Sequence, residues 1–172
     1  AGVLGQDDAA WQLALDTIET RGGGTLVAED LDLYFNTQSE LVLSGLTKSG
    51  GIRGGGTRLR TSGDLAAIRL TGSSTMRPFL VEGFLTDHTG NATARCAYEQ
   101  VRTAYVEWRD CAVLADNGVS ATYAGWRLRH SDVNDINTGC YWTHIYDCVM
   151  RSTGGIVIPR GLWIEGAHNA IS

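Results

Sequence analysis

From Gly24 onward the chain is a succession of short apolar-alternating runs, each closed by Gly, Ser, Asn, Asp or Thr. TLVAEDLDLYF (25–35), ELVLSGL (40–46), TRLRT (57–61), LAAIRLTG (65–72) and RPFLVEGFLTD (77–87) are examples. Period-two alternation over so few residues suits strands, and many short strands at short spacing mean an all-β fold. Composition supports this at one point. The 172 residues hold 22 Gly and only 2 Pro, which fits repeated tight turns with positive φ better than a disordered linker.

The runs also repeat. RPFLVEGF (77–84), AYVEWRDC (104–111), AGWRLRHS (124–131), YWTHIYDC (141–148) and RGLWIEGA (160–167) align, ending on Phe84, Cys111, Ser131, Cys148 and Ala167 at intervals of 27, 20, 17 and 19 residues. Such spacing points to a solenoid with a coil near 20 residues. In each repeat two positions are mostly apolar: Phe79/Val81, Val106/Trp108, Trp126/Leu128, Thr143/Ile145 and Leu162/Ile164. Two residues apart on a strand, they share one side, which must be the interior. The small residues that close the repeats fit a tight inward position.

Ahead of the repeats, DDAAWQLALDTIET (7–20) carries Trp11, Ala14, Leu15 and Ile18 at helical spacing, the signature of an amphipathic helix. Asp7 or Asp8 supplies an N-cap carboxylate, and Gly22-Gly23-Gly24 ends the helix. Lying over the first coil, it would hide the open strand edge that a parallel solenoid leaves at each end. The other end, GLWIEGAHNAIS, runs to Ser172 still in strand pattern. The expectation is a chain that continues, or another chain that covers this end. The missing initiator Met likewise suggests a processed or cut form.

Several function classes are disfavoured. Fourteen Lys+Arg against 19 Asp+Glu give a net charge of −5, unlike the basic surface of a nucleic-acid binder. No apolar run approaches the ~20 residues of a membrane span. The four cysteines, Cys96, Cys111, Cys140 and Cys148, form no CxxC, and the four His form no HxxxH, so neither a metal site nor a cofactor is expected. The cysteines read as buried free thiols. In the repeat alignment Ser131 lies between Cys111 and Cys148, placing their Cα atoms about 9–10 Å apart, beyond disulfide reach. GGIRGGGT lacks the Lys-Ser/Thr of a phosphate loop and reads as turns.

Longer motifs point to a known group. QDDAAWQLALDTIETRGGGTL resembles the entry of the pectate-lyase-like β-helix superfamily, in the form found in phage tailspikes and tail-fibre depolymerases: an Asp-rich cap, a helix of the type AxxQxAL, then GGGT and the first strand. SGGIRGGGTRLRTSGDLAAIRL (49–70) resembles its next coil, and VEWRDCAV and HIYDCVM resemble its coil signature, in which an Asn usually precedes the small residue. Here that slot holds Gly83, Asp110, His130, Asp147 and Gly166, so no Asn ladder is expected. The resemblance spans essentially the whole chain and implies a right-handed parallel β-helix (25–172) behind an N-terminal capping helix and entry turn (1–24). It also implies a homotrimer, located in the virion tail or outside the cell, that binds and possibly cleaves bacterial surface polysaccharide. The superfamily contains lyases, hydrolases, epimerases and non-catalytic binders, so it does not fix the chemistry.

The same alignment gives the outward residues. One column is Leu80, Glu107, Arg127, His144, Trp163, and the next is Glu82, Arg109, Arg129, Tyr146, Glu165. Flat rings suit pyranose faces and charged groups suit hydroxyls or uronates. Glu107 is therefore the candidate catalytic residue, with Glu82 or Glu165 as its partner carboxylate. Arg109, Arg127, Arg129, His144, Tyr146 and Trp163 are candidate substrate-binding residues, Arg127 and Arg129 neutralising an acidic sugar. The competing account is a solvated face of cross-strand ion pairs, Glu82 with Arg109 and Glu107 with Arg127. Against it stand the stacked like charges of Arg109 and Arg129, and the wet aromatics Trp142, Tyr146 and Trp163. A weaker candidate is the corner column Asp110, His130, Asp147, whose carboxylates would lie about 9–10 Å apart. The rival readings of function are a secreted bacterial polysaccharide lyase or glycoside hydrolase, and a non-catalytic structural β-helix of a virion or adhesin.

Overall fold

Turns that hold φ positive set the corners of this chain, and strands fill the spans between them. The computed structural model describes residues 7–72, 77–116, 119–130, 139–153 and 159–165. Helix α1 (Asp7–Thr20) is followed by strands in three parallel sheets of five. The first sheet orders β1 (Gly24–Val27), β4 (Gly50–Arg53), β7 (Phe79–Glu82), β10 (Val106–Arg109) and β13 (His144–Tyr146). The second orders β2 (Asp32–Phe35), β5 (Arg58–Thr61), β8 (Leu85–Asp87), β11 (Ala112–Ala115) and β14 (Val149–Ser152). The third orders β3 (Leu41–Val42), β6 (Ile68–Thr71), β9 (Cys96–Val101), β12 (Ala124–Arg129) and β15 (Arg160–Ile164). Every neighbouring pair is parallel, and each coil visits the three sheets in turn. The protein is a β-solenoid.

The coil is longer than the sequence alignment suggests. Thr25, Gly51, Leu80, Glu107 and His144 occupy one column, at intervals of 26, 29, 27 and 37 residues. The last interval had been divided into 20 and 17 by inserting AGWRLRHS, which belongs to the third sheet. There Trp126 pairs with Leu162, so RGLWIEGA is its next rung. Two of the five aligned runs therefore lie on a different face. Trp108 and Leu128 still face one interior, but from different sheets. Runs 25–35 and 77–87 each cross a corner and supply two strands.

The inward positions are as expected through most of the solenoid. Phe79, Val81, Val106, Trp108, Trp126 and Leu128 are buried, and Tyr98 joins Trp108 and Trp126 at ring-centroid distances of 5.0 and 5.2 Å. In the last coil Ile145 is half-buried and Ile164 is 42% exposed, so the expected burial of both is not met. Several buried polar groups pair with one another. Trp108 Nε1 donates to Gln100 Oε1 at 2.6 Å, and Gln100 Nε2 donates to Thr103 and Thr143 hydroxyls. His88, fully enclosed, bridges Thr61 Oγ1 and Tyr123 OH at 2.9 and 3.0 Å. Burial depresses its pKa to about 4.

Helix α1 closes the first coil, packing on β1, β2 and β3. Trp11, Leu15 and Ile18 are buried, and the Trp11 ring reaches Phe35 and Phe84. The carboxylates of Asp7 and Asp8 act as anchors between elements: they accept backbone N–H bonds from Tyr34, Asn36 and Thr37 of the first coil. Gly22 and Gly23 leave the helix at φ 66° and 133°, their N–H groups returning to Glu19 and Ile18 carbonyls. A Cβ on Gly23 would stand 2.7 Å from the Lys48 carbonyl oxygen, so this stop requires glycine twice over.

All four cysteines are free, three of them buried and Cys148 half-buried. The expected spacing of Cys111 and Cys148 is corrected. Arg109 pairs with Tyr146 and Ala112 with Val149, so the two residues sit on adjacent rungs, their Cα atoms about 4.8 Å apart along the sheet. The neighbouring Cys148 and burial push the Cys111 thiol up, whereas the neighbouring Cys111 outweighs burial and holds Cys148 below its ordinary value. Ser131 and Ala167 lie outside the described residues.

Candidate functional site

The two outward columns read from sequence separate into two faces. On the first sheet, Gly51, Leu80, Glu107 and His144 form one column and Arg53, Glu82, Arg109 and Tyr146 the next. On the third sheet, Arg69, Glu99, Arg127 and Trp163 form a column, with Arg129 and Glu165 beside it. Glu107, Arg109, His144 and Tyr146 are thus brought together. Arg127, Arg129 and Trp163 are brought together elsewhere. Arg109 and Arg129 do not stack, and the argument from their repulsion falls.

The third-sheet face is a charge ladder. Glu99, only 5% exposed, is met by Arg69 at 3.2 Å, Arg127 at 3.5 Å and Arg129 at 3.2 Å. Glu165 takes Arg127 at 2.7 Å and Arg129 at 3.5 Å. Trp163 lies between the guanidinium groups of Arg127 and Arg160, at 4.8 and 4.4 Å from its centroid. Arg127 is pulled two ways: burial works against its charge, and Glu165 and Glu99 outweigh it, so its pKa is raised. Both arginines assigned to an acidic sugar are therefore engaged by glutamates of the same face. Glu99 escaped the sequence reading because CAYEQV does not alternate.

The first-sheet face is arranged differently. Arg53 pairs with Glu82 at 3.2 Å, and Arg109 pairs with Glu107 along its own strand. His144 Nδ1 and Tyr146 OH are 2.9 Å apart, their rings stacked. At the entrance of these strands Tyr105 and Trp142 stand on adjacent rungs, since Ala104 pairs with Tyr141. Their rings are parallel within 2°, centroids 4.8 Å apart. They are 40% and 50% exposed, and both sit in left-handed backbone at φ 57° and 48°. That conformation is uncommon for bulky side chains and costs of order 1–3 kcal/mol. The two rings cover one another on one face, and both stay partly open to solvent. A groove of about 400 Å³ opens beside them, lined by Ser49, Pro78, Leu80, Glu107 and His144 among others. Trp142 was legible as a wet aromatic, whereas Tyr105 was not singled out.

The corner carboxylates are also corrected. Asp110 and Asp147 occupy adjacent rungs in the column of Gly83, and all three have φ between 51° and 74°. Left-handed turns favour Gly and Asp, which accounts for the residue types in this slot. His130 lies elsewhere, directly after Arg129 at the end of β12 on the third sheet. Asn91, part of an N-x-T pattern, spends its amide on the Thr61 and Gly63 carbonyls.

Among the described residues no group of three or more His, Cys, Asp or Glu side chains is placed to hold a metal ion. No described helix is long and apolar enough to cross a membrane. No protein-family model matches the chain, and no curated protein or solved structure matches it.

Proposed function

We propose that the protein binds bacterial surface polysaccharide along its first-sheet face, as a solenoid of the phage tailspike type in the pectate-lyase-like superfamily. The observation that carries this reading is the exposed Tyr105–Trp142 stack, held in unfavourable backbone beside the Glu107 and His144 groove. Strained backbone at exposed aromatic residues is a reason to look for a ligand, and exposed parallel rings offer flat apolar faces to pyranose C–H groups. Glu107 and His144 line the groove on the same two rungs, with Arg109 and Tyr146 beyond them along β10 and β13. A homotrimer in a virion tail or outside the cell belongs to the same proposal and rests on the sequence resemblance.

Binding is better supported than cleavage. Glycoside hydrolysis ordinarily uses two carboxylates across the scissile bond, and among the described residues this groove is lined by one, Glu107. If the groove does cleave, Glu107 is the proton-transfer residue, with His144 of the adjacent rung as the second titratable group. The test is incubation with capsular and O-antigen polysaccharides, reading retention on immobilised glycan and release of reducing or unsaturated ends. Retention lost in Trp142→Asn supports the binding site. Product release lost in Glu107→Gln with retention intact assigns catalysis to Glu107. Retention by neither parent nor variant on any polysaccharide favours a structural solenoid. A secreted lyase or hydrolase differs from the tailspike reading in being monomeric, which sedimentation reads.

A further inference from the structure

The column that carries the aromatic stack continues toward the N-terminal coils. Phe79 pairs with Val106 and Gly50 with Phe79, so Pro78 and Ser49 occupy the rungs before Tyr105. Trp142 covers one face of Tyr105, and Pro78 and Ser49 are too small to extend the ladder on the other. Beneath them β4 opens on Gly50 and Gly51. A Cβ on Gly51 would lie 2.7 Å from the Leu80 carbonyl oxygen, and one on Gly50 would lie 2.5 Å from that of Gly24. Neither position can carry a side chain without a backbone shift. The ladder therefore stops where the groove begins.

Resting on the glycan reading above, we propose that the groove takes an uncharged sugar ring, stacked on Tyr105 as the next member of the Trp142–Tyr105 ladder. Charge selects the class. Glu107 is the carboxylate of the lining, and its cationic partner Arg109 is not a lining residue. Among the described residues no Lys or Arg lines the groove; Lys48 and Arg77 come one residue before Ser49 and Pro78 and are not part of its wall. A uronate carboxylate seated there would meet Glu107 with no lining guanidinium or ammonium to compensate its desolvation. An uncharged pyranose has no such penalty. Its C–H face meets the electron-rich face of the Tyr105 ring, and its hydroxyls meet Glu107, His144 and Ser49. The arginines suited to an acidic sugar, Arg127 and Arg129, lie on the third sheet with Glu99 and Glu165 already against them.

The experiment applies the full chain to an array of bacterial capsular and O-antigen polysaccharides, some with uncharged repeats and some bearing uronate or sialate. Hits are repeated at low and high salt and with Tyr105→Asn, a residue that tolerates the left-handed backbone. The expected result is retention on one or more uncharged polysaccharides, nearly independent of salt. It should weaken by about tenfold or more in Tyr105→Asn, in keeping with the loss of a stacked ring. Retention confined to acidic polysaccharides, weakened by salt and by Tyr105→Asn, overturns the uncharged class and leaves the first-sheet site standing. Retention unchanged in both Tyr105→Asn and Trp142→Asn overturns the ladder and the site together.

Discussion

The first-sheet and third-sheet faces draw on the same residue types and use them in opposite ways. On the third sheet each arginine of the ladder lies against a glutamate one rung away, Glu99 is buried by the arginines around it, and Trp163 is sandwiched by two guanidinium groups. That face is internally satisfied, and its charges hold coils together. On the first sheet the rings are exposed, the backbone that carries them is strained, and a groove lies next to them. Composition alone does not separate a structural surface from a binding one; the partners of each group do.

The largest effect should come from the third sheet. Glu99→Ala leaves Arg69, Arg127 and Arg129 without their shared carboxylate. Breaking a buried pair costs about 3–5 kcal/mol, and the low end is expected because the arginine side chains retain some access to water. A lower urea midpoint with unchanged glycan retention is the predicted outcome; lost retention at an unchanged midpoint would reverse the roles of the faces.

Next comes a pH effect that belongs to neither face. His88 titrates near 4 in the fold against about 6.5 unfolded. Its contribution is fully present above pH 6.5 and is lost as pH falls toward 4, because the unfolded chain binds the proton first. The loss is on the order of 3 kcal/mol. Urea midpoints measured across that range should drop in the parent and flatten in His88→Gln. A steep drop that persists in His88→Gln would move its origin to the ion-paired faces.

Arg127→Ala should cost about 1–2 kcal/mol, the scale of charge-assisted hydrogen bonds at a partly solvated site. The guanidinium is 14% exposed and bonded to Glu165, so the variant is a stability variant and retention should survive. The smallest effect is expected for Tyr105→Asn and Trp142→Asn, within about 0.5 kcal/mol in thermal unfolding, since the relieved backbone and the lost ring stacking oppose one another.

Much of this architecture was legible. The helix over 7–20 and its apolar stripe follow from spacing alone, and inward alternation holds for Phe79, Val81, Val106 and Trp108. The coil length was not, for two reasons. CAYEQV is buried throughout although it carries Glu99 and Gln100, because arginines and Trp108 supply their partners. Without alternation it gave no strand signal, and the third sheet went unseen. VEWRDC and THIYDC share the Asp-Cys corner, and AGWRLRHS lies between them without that corner. Its alternation was mistaken for an added rung of the first sheet. Trp142 stood out as a wet aromatic, but its pairing with Tyr105 was hidden, because the stack depends on a register of 37 residues and on positive φ at bulky residues, which sequence patterns do not advertise.

The division of labour between the faces is tested most directly by measuring Tm and glycan retention for Arg127→Ala and Trp142→Asn side by side, on a polysaccharide that retains the parent. The account predicts a crossed result. Arg127→Ala lowers Tm by about 3–6 °C and keeps retention, whereas Trp142→Asn keeps Tm and loses retention. Retention lost in Arg127→Ala at an unchanged Tm, with Trp142→Asn behaving like the parent, would contradict it.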